Sequence, residues 1–194
     1  TGLAVLYTGA TPIFVDIDYK TGNIDVESIR RNITSKTRAI IVVHWGGLPC
    51  DMDEIISIAK YHSIPVIEDA AHALGAEYKG RQIGSISEYT CFSFQAIKHV
   101  STGDGGAIAF KSKESSDHAK SLRWFVIDRK NTAISLLGER DYDISEVGYK
   151  YHMNDYSAAL GVANLEGYKD RLKWLREINY KYRNEFSSID GVSL

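Results

Sequence analysis

Residues 39–44, AIIVVH, form an almost unbroken run of aliphatic side chains that ends on a histidine. Such a run is typical of a parallel strand that helices cover on both faces of a sheet. Residues 52–59 then carry apolar side chains at helical spacing, and a second apolar run, IPVIED at 64–69, follows. The order strand, helix, strand predicts an α/β fold with a mostly parallel sheet and right-handed crossovers.

The same criteria predict the remaining elements. In chain order these are a strand at 12–17, a helix with Asp25 as its N-cap, a strand at 90–94, an antiparallel edge strand at 107–110, a helix at 113–123 and a long helical stretch from Asn154 to 186. Gly167 can bend the last of these. Residues 124–147 show no clear periodicity, and we predict a long loop there.

Composition and charge exclude several classes of function. The formal net charge is −2 with both signs interspersed, whereas a nucleic-acid surface needs clustered Lys and Arg. The longest aliphatic run, 39–43, is too short to cross a bilayer. Cys50 and Cys91 lack metal-binding spacing, so we expect reduced thiols and no metal site. We expect a cytoplasmic protein, and because the chain begins Thr-Gly-Leu we expect a fragment of a longer one.

An acid and an amine follow two of the predicted strands. Asp69 ends the run at 64–69, and Lys98 follows the strand at 90–94 and precedes a glycine cluster at 103–106. The carboxyl ends of parallel strands meet at the edge where α/β proteins bind ligands. A loop lysine is ordinarily a solvated surface charge, and Asp69 alone could be a helix cap. Their shared edge favours a binding site instead.

This pair of groups suggests pyridoxal phosphate. A desolvated lysine can attack an aldehyde, and a carboxylate can hold the proton on a pyridine nitrogen. Ser93 could donate to a phosphate or could be an ordinary strand residue, and His72 could donate to the ring oxygen or simply occupy a turn. His44 and Trp45 could line the same pocket, although a structural tryptophan is equally compatible with the sequence.

Three segments resemble the DegT/DnrJ/EryC1/StrS family of sugar aminotransferases, which have the fold-type I architecture. They are VIEDAAHALGA at 66–76, FSFQAIKHVSTGDGG at 92–106 and GYKYHMNDYSAALGVANLE at 148–166. The resemblance runs from about residue 5 to the end. It implies a three-layer α/β/α large domain with an antiparallel edge strand. The implied domains are a cofactor-binding core at 1–153, a connecting helix at 154–186 and the start of a small domain at 187–194.

The resemblance also implies a role for each matching residue. Lys98 would form the internal aldimine with pyridoxal phosphate, Asp69 would bind the pyridine nitrogen and His72 would lie near the ring oxygen. Ser93 would bind the phosphate, and Ala71 would pack against the ring. Some relatives are dehydratases with histidine in place of the lysine, so the presence of Lys98 favours amino transfer.

The implied reaction moves an amino group, usually from glutamate, to a nucleotide-linked keto-sugar in deoxyamino-sugar biosynthesis for polysaccharides, O-antigens or antibiotics. The implied assembly is a homodimer with shared sites. Many members carry an asparagine at position 150 that reaches the partner's phosphate; here Lys150, His152 and Asn154 are the candidates. The sugar, its nucleotide and the aminated carbon stay open. The alternative is a non-catalytic member that binds the cofactor or a sugar nucleotide for regulation.

Overall fold

The computed structural model of the chain describes residues 1–127, 133–142 and 144–192. Its strands are β1 (Ile40–Val43), β2 (Val66–Asp69), β3 (Glu77–Tyr78), β4 (Arg81–Gln82), β5 (Tyr89–Ser93), β6 (Gly106–Phe110), β7 (Ala133–Ile134) and β8 (Arg140–Asp141). Its helices are α1 (Gly2–Tyr7), α2 (Val26–Asn32), α3 (Met52–Tyr61), α4 (Lys113–Leu122), α5 (Asp155–Glu166) and α6 (Tyr168–Phe186).

The main sheet has the strand order β1-β2-β5-β6. β1, β2 and β5 are parallel, and β6 pairs antiparallel with β5 at one edge. The predicted mostly parallel sheet with an antiparallel edge strand is therefore confirmed. β3 pairs with β4 and β7 with β8 in two small hairpins outside this sheet.

The hydrophobic core lies where α3 packs against the sheet. Val42 from β1 and Met52 and Ile55 from α3 are completely buried. Side chains alternate along a strand, so Ile41 and Val43 face the opposite side, where they are only half-buried. The two faces of β1 are therefore covered unequally, although its sequence is apolar throughout.

Side-chain caps fix where several helices begin. The Asp25 carboxylate accepts hydrogen bonds from the backbone N–H groups of Glu27 and Ser28 at the start of α2. Asn154 accepts from the Ser157 N–H at the start of α5. Both N-caps were predicted from the sequence, since the side chains of Asp and Asn can accept from the first unpaired N–H groups of a helix.

Two predicted elements differ in the structure. Residues 12–17 do not form a strand; Ile17 makes an isolated bridge to Ile24, and Phe14 is 81% exposed. A strand needs a neighbour that accepts its hydrogen bonds, and no described strand lies beside this segment. The helical stretch at 154–186 is interrupted at Gly167, where α5 ends and α6 begins.

The predicted loop at 124–147 contains β7 and β8, and its residues 128–132 and 143 lie outside the described residues, as do 193 and 194. Within the described ranges, no helix has both the length and the apolar character needed to span a membrane.

Candidate active site

Asp69 lies at the carboxyl end of the central strand β2. Its neighbours in the register are Val43 of β1 and Cys91 of β5. The Asp69 carbonyl accepts from the His44 N–H at 3.1 Å, and the next residue, Ala70, donates to the Cys91 carbonyl at 2.8 Å. Strands on both sides therefore hold this backbone. The half-buried carboxylate accepts from the Ala71 N–H at 3.2 Å and from the Thr1 hydroxyl.

The turn after Asp69 is made of small residues and is packed tightly. Ala70 and Ala73 are each 1% exposed, and the Ala73 N–H donates to the Ala70 carbonyl at 2.9 Å. His72 lies on the outside of the turn, where its ring meets Trp45 edge-on with 5.8 Å between centroids. A β-carbon on Gly47 would lie 2.8 Å from the His72 carbonyl oxygen. Only a glycine permits this close approach between the two turns.

Ser93 is the last residue of β5 and pairs with Gly106 of β6. Its hydroxyl oxygen accepts from the Gln95 N–H at 3.3 Å. The hydroxyl proton has no acceptor among the residues that the structure describes. Ser93 can therefore donate to a ligand oxygen.

Lys98 lies on a closed loop between β5 and β6, which we call the lysine loop (residues 94–105). The Phe94 N–H donates to the Gly105 carbonyl and the Thr102 N–H donates to the Phe94 carbonyl, both at 2.8 Å. Lys98 is half-buried, and its ammonium makes no hydrogen bond or ion pair with any described residue. An amine that has no partner within the described part of the chain is available to bind a ligand.

The lysine loop is tied to the turn that follows Asp69. His99, the neighbour of Lys98, places its Nε2 3.0 Å from the Leu74 carbonyl oxygen. Because a carbonyl only accepts, Nε2 carries the proton. The His99 ring also stacks on Tyr168 of α6, with 6.1 Å between centroids. The structure therefore brings Asp69, His72, Ser93 and Lys98 to one edge of the sheet.

Helices α5 and α6 hold the other side of this loop and the turn that follows Asp69. The Arg171 guanidinium donates to the His99 carbonyl at 2.9 Å and to the Asn164 carbonyl at 3.1 Å. The Asn164 amide donates to the Ser101 carbonyl at 2.8 Å, and Arg176 donates to the Gly75 carbonyl at 3.1 Å. Sequence reasoning missed these four contacts, because a polar residue on a helix gives no signal of the distant carbonyl that it binds.

A buried polar cluster lies beneath the site. His44 and Glu68 are both 0% exposed, with 2.8 Å between Nε2 and Oε2. His44 Nδ1 accepts from the Cys50 N–H at 3.1 Å, so the imidazole is neutral and its Nε2–H donates to the carboxylate. The other Glu68 oxygen accepts from Ser87 N–H, Ser87 Oγ and Thr90 Oγ1 at 2.5–3.0 Å.

The balance of burial and hydrogen bonding determines the charge state of Glu68. Burial alone raises the pKa of Glu68, but the hydrogen bonds from His44, Ser87 and Thr90 outweigh it and hold the pKa of that carboxyl below its ordinary value. His44 therefore binds Glu68 inside the protein and does not line a pocket, which corrects that part of the sequence interpretation. Sequence reasoning had not singled out Glu68.

The three candidates from 150 to 154 have different surroundings. Asn154 caps α5. His152 is half-buried with its ring 4.1 Å from that of Trp124, and its Nδ1 has no hydrogen-bond partner within the described part of the chain. Lys150 is exposed, and its backbone bridges to Trp124. Only Lys150 among these is an exposed cation.

Comparison with known proteins agrees with this architecture. A model of the DegT/DnrJ/EryC1/StrS aminotransferase family matches residues 1–194. Among curated proteins, the chain is 45% identical over 193 residues to the uncharacterized protein MJ1066 of Methanocaldococcus jannaschii. The matched region is 99% of this chain and 50% of the relative. It is 39% identical over 193 residues to the spore coat polysaccharide biosynthesis protein SpsC of Bacillus subtilis. The matched region is again 99% of this chain and 50% of the relative.

A third relative is GDP-perosamine synthase of Escherichia coli O157:H7, which is 38% identical over 189 residues, or 97% of this chain and 50% of the relative. The chain thus spans about half the length of the curated relatives it matches.

Solved structures show the same similarity. AtS13 from Actinomadura melliaura has a TM-score of 0.90 and 40% identity, covering 97% of this chain and 51% of that one. DesI, solved in the presence of its TDP-sugar product, has a TM-score of 0.84 and 31% identity. The match covers 98% of this chain and 46% of DesI.

Proposed function

The chain belongs to the DegT/DnrJ/EryC1/StrS aminotransferase family, and we propose that it carries the cofactor site of a sugar aminotransferase. In this proposal the whole protein uses pyridoxal phosphate to move an amino group from glutamate to a nucleotide-linked keto-sugar. The observation that carries the proposal is that the amine of Lys98 has no partner among the described residues, while the next residue, His99, binds the turn after Asp69.

The residues at this edge fit pyridoxal phosphate. Its aldehyde can be bound by a lysine amine, and its protonated ring can accept electrons from a bound amino acid. Asp69 would hold the proton on the ring nitrogen, and His72 would donate to the ring oxygen. Ser93, whose hydroxyl proton is available, would donate to the phosphate, and Ala71 would contact the ring face. Each role matches the chemistry of the side chain at that position.

Lys98 would also move the proton that amino transfer requires. Its Nζ, when neutral, can accept a proton from the α carbon of glutamate and can later donate one to the former keto carbon of the sugar. A lysine on an anchored loop is suited to this role, because its backbone is held in place while its four-carbon side chain reaches between two atoms.

The proposal includes a homodimer in which each site borrows a residue from the partner. Lys150 is our candidate for that residue, because it is an exposed cation, whereas Asn154 caps a helix and His152 packs on Trp124. A cation at this position would bind a phosphate oxygen with a charge-assisted hydrogen bond.

Replacement of Lys98 in the full-length protein would test the cofactor assignment. Wild-type protein should turn yellow with pyridoxal phosphate, and borohydride reduction should attach the cofactor to Lys98, as read by peptide mass spectrometry. Lys98→Ala should lose the colour and the attachment, and activity should fall by at least about a thousandfold, since both binding and proton transfer depend on this amine.

Lys60→Ala provides the matched control, because Lys60 is exposed on α3, and it should behave as wild type. Attachment at another lysine, or a coloured Lys98→Ala protein, would contradict the assignment. Cofactor binding without exchange of label between glutamate and 2-oxoglutarate would point to the regulatory alternative.

A further inference from the structure

Trp45 is an exposed tryptophan at the edge of the proposed site. It lies two residues after the end of β1 and is 60% exposed. A tryptophan side chain is large and mostly apolar, so proteins usually bury most of it. An indole that stays in solvent beside a ligand-binding edge is available for contact with a ligand.

The surrounding turn fixes the backbone of this tryptophan and packs against its ring. The side chain of Asn23, itself 5% exposed, accepts from the Trp45 N–H at 2.9 Å and donates to the carbonyls of Leu48 and Pro49 at 3.0 and 3.2 Å. Gly22 leaves room for the indole, since a β-carbon there would lie 2.9 Å from Trp45 Cδ1. A ring that packs against neighbours on one side loses less entropy on binding a ligand than a fully free one.

The same turn ties Trp45 to the proposed cofactor residues. Its ring contacts that of His72 edge-on, at an interplanar angle of 64°. Its chain neighbour His44 donates its backbone N–H to the Asp69 carbonyl. The indole therefore lies next to the turn that follows Asp69, and a substrate extending outward past His72 would meet it.

We propose that Trp45 stacks against a ring of the nucleotide-linked sugar and so contributes to substrate affinity and specificity. The inference rests on the proposed function and names a residue that binds the substrate outside the cofactor. An indole offers a flat apolar face, which suits either a nucleotide base or the C–H face of a sugar ring. Stacking of a base on an aromatic side chain is strong enough to change affinity by about tenfold or more.

The chain provides a matched control for this tryptophan. Trp174 on α6 is 58% exposed, nearly the same as Trp45, but its indole makes no hydrogen bond or ring contact with the described residues of the lysine loop or of the turn after Asp69. Removal of either indole takes away a similar exposed area. Only removal of Trp45 should affect substrate binding.

The test uses the full-length protein loaded with pyridoxal phosphate. Calorimetry measures the affinity for GDP, UDP and TDP, and steady-state kinetics measure KM and kcat for the corresponding keto-sugar nucleotides. Trp45→Ala should raise KM about tenfold or more while kcat falls less than about threefold, since stacking away from the reacting carbon is made equally before and during the reaction. Trp45→Phe keeps an aromatic face and should retain most of the affinity.

Trp45→Leu keeps the apolar bulk against Gly22 and His72 without a flat ring, so it separates stacking from packing if Trp45→Ala is unstable. Weaker binding of a nucleoside diphosphate alone identifies the base as the stacked ring. An effect confined to the keto-sugar nucleotides identifies the sugar. Either result supports the inference.

Equal affinity and KM in the Trp45→Leu and Trp174→Ala proteins would overturn it, as would wild-type protein that binds none of these nucleotides or sugar nucleotides. Failure of the proposed function can be distinguished from failure of this inference. It would appear in the wild-type protein as a lack of cofactor binding or a lack of exchange with glutamate.

Discussion

Glu68 and Asp69 are consecutive carboxylates at the end of β2, but they have different surroundings. Successive side chains of a strand point to opposite faces, so Glu68 enters the interior while Asp69 stays half-buried at the candidate site. Four hydrogen bonds keep Glu68 ionised there. His44, which donates a hydrogen bond to Glu68, is neutral. The His44–Glu68 pair therefore carries one buried negative charge beneath the site.

This arrangement predicts an acid-dependent contribution to stability. The pKa of Glu68 in the folded protein lies below its ordinary value of 4.5, so its stabilising contribution is complete above that value and is lost as the pH falls through the lowered folded pKa. Glu68→Gln should lower the free energy of unfolding by about 2 kcal/mol at neutral pH. That deficit should shrink on acidification below the ordinary value.

Urea unfolding of both proteins from about pH 7 to about pH 3 measures this difference. Glu166→Gln, at an exposed position of α5, should show no comparable deficit. A Glu68→Gln deficit that is constant with pH would contradict the role assigned to the charge.

Helix α5 packs directly against the lysine loop. A β-carbon on Gly161 would lie 2.7 Å from Thr102 Cγ2, and Thr102 is 5% exposed with its hydroxyl bound to the Asp104 carbonyl. Gly161 is therefore needed for close approach rather than for backbone flexibility. At the junction with α6, a β-carbon on Gly167 would lie 3.6 Å from the Arg171 guanidinium, which is ordinary contact.

Substitution by alanine should have opposite effects on stability at Gly161 and Gly167. Alanine favours a helix over glycine, but Gly161→Ala should lower the free energy of unfolding by about 1–2 kcal/mol through overpacking against Thr102. It should also weaken pyridoxal phosphate binding by displacing the lysine loop. Gly167→Ala should leave stability unchanged or raise it by up to about 1 kcal/mol. Thermal unfolding and cofactor titration measure both effects; equal stabilisation by the two changes would refute the packing argument.

Many large apolar side chains are exposed in the described part of the chain. Leu136 and Leu137 near β7, Tyr156 on α5 and Trp174 on α6 are among those more than half exposed. Exposed apolar surface of this extent commonly marks contact with other protein. It is compatible with the proposed homodimer, in which Lys98 and Lys150 of one site come from different subunits.

Hybrid dimers provide the test of shared sites. Lys98→Ala and Lys150→Ala proteins should each be nearly inactive alone. When their subunits are mixed and exchanged at random, about half of the dimers are hybrids with one intact site of two, so about a quarter of wild-type activity should return. Lys98→Ala mixed with Asp69→Asn should recover none, because these two residues belong to the same subunit. Recovery in both mixtures, or in neither, would contradict the arrangement.

Local patterns in the sequence determine much of this fold. Runs of β-branched residues predicted β1 and β2, the run TCFSF at 90–94 predicted β5, and the preferences of Asp25 and Asn154 predicted two helix starts. The position of Asp69 at the end of a strand and that of Lys98 in the loop after the next parallel strand also follow from the sequence, since strand ends are local features. Their roles in binding a cofactor stay predictions.

The tertiary structure alone decided which distant groups meet. No periodicity could pair His44 with Glu68, or place the Arg171 guanidinium on the carbonyl next to Lys98, because these contacts join residues 24 and 72 positions apart. The apolar segment 12–17 has the composition of a strand but has no described strand beside it. It forms no strand because hydrogen bonds between strands depend on neighbours rather than on composition. Local preferences therefore set the elements, while long-range packing determined which side chains became buried, paired or exposed.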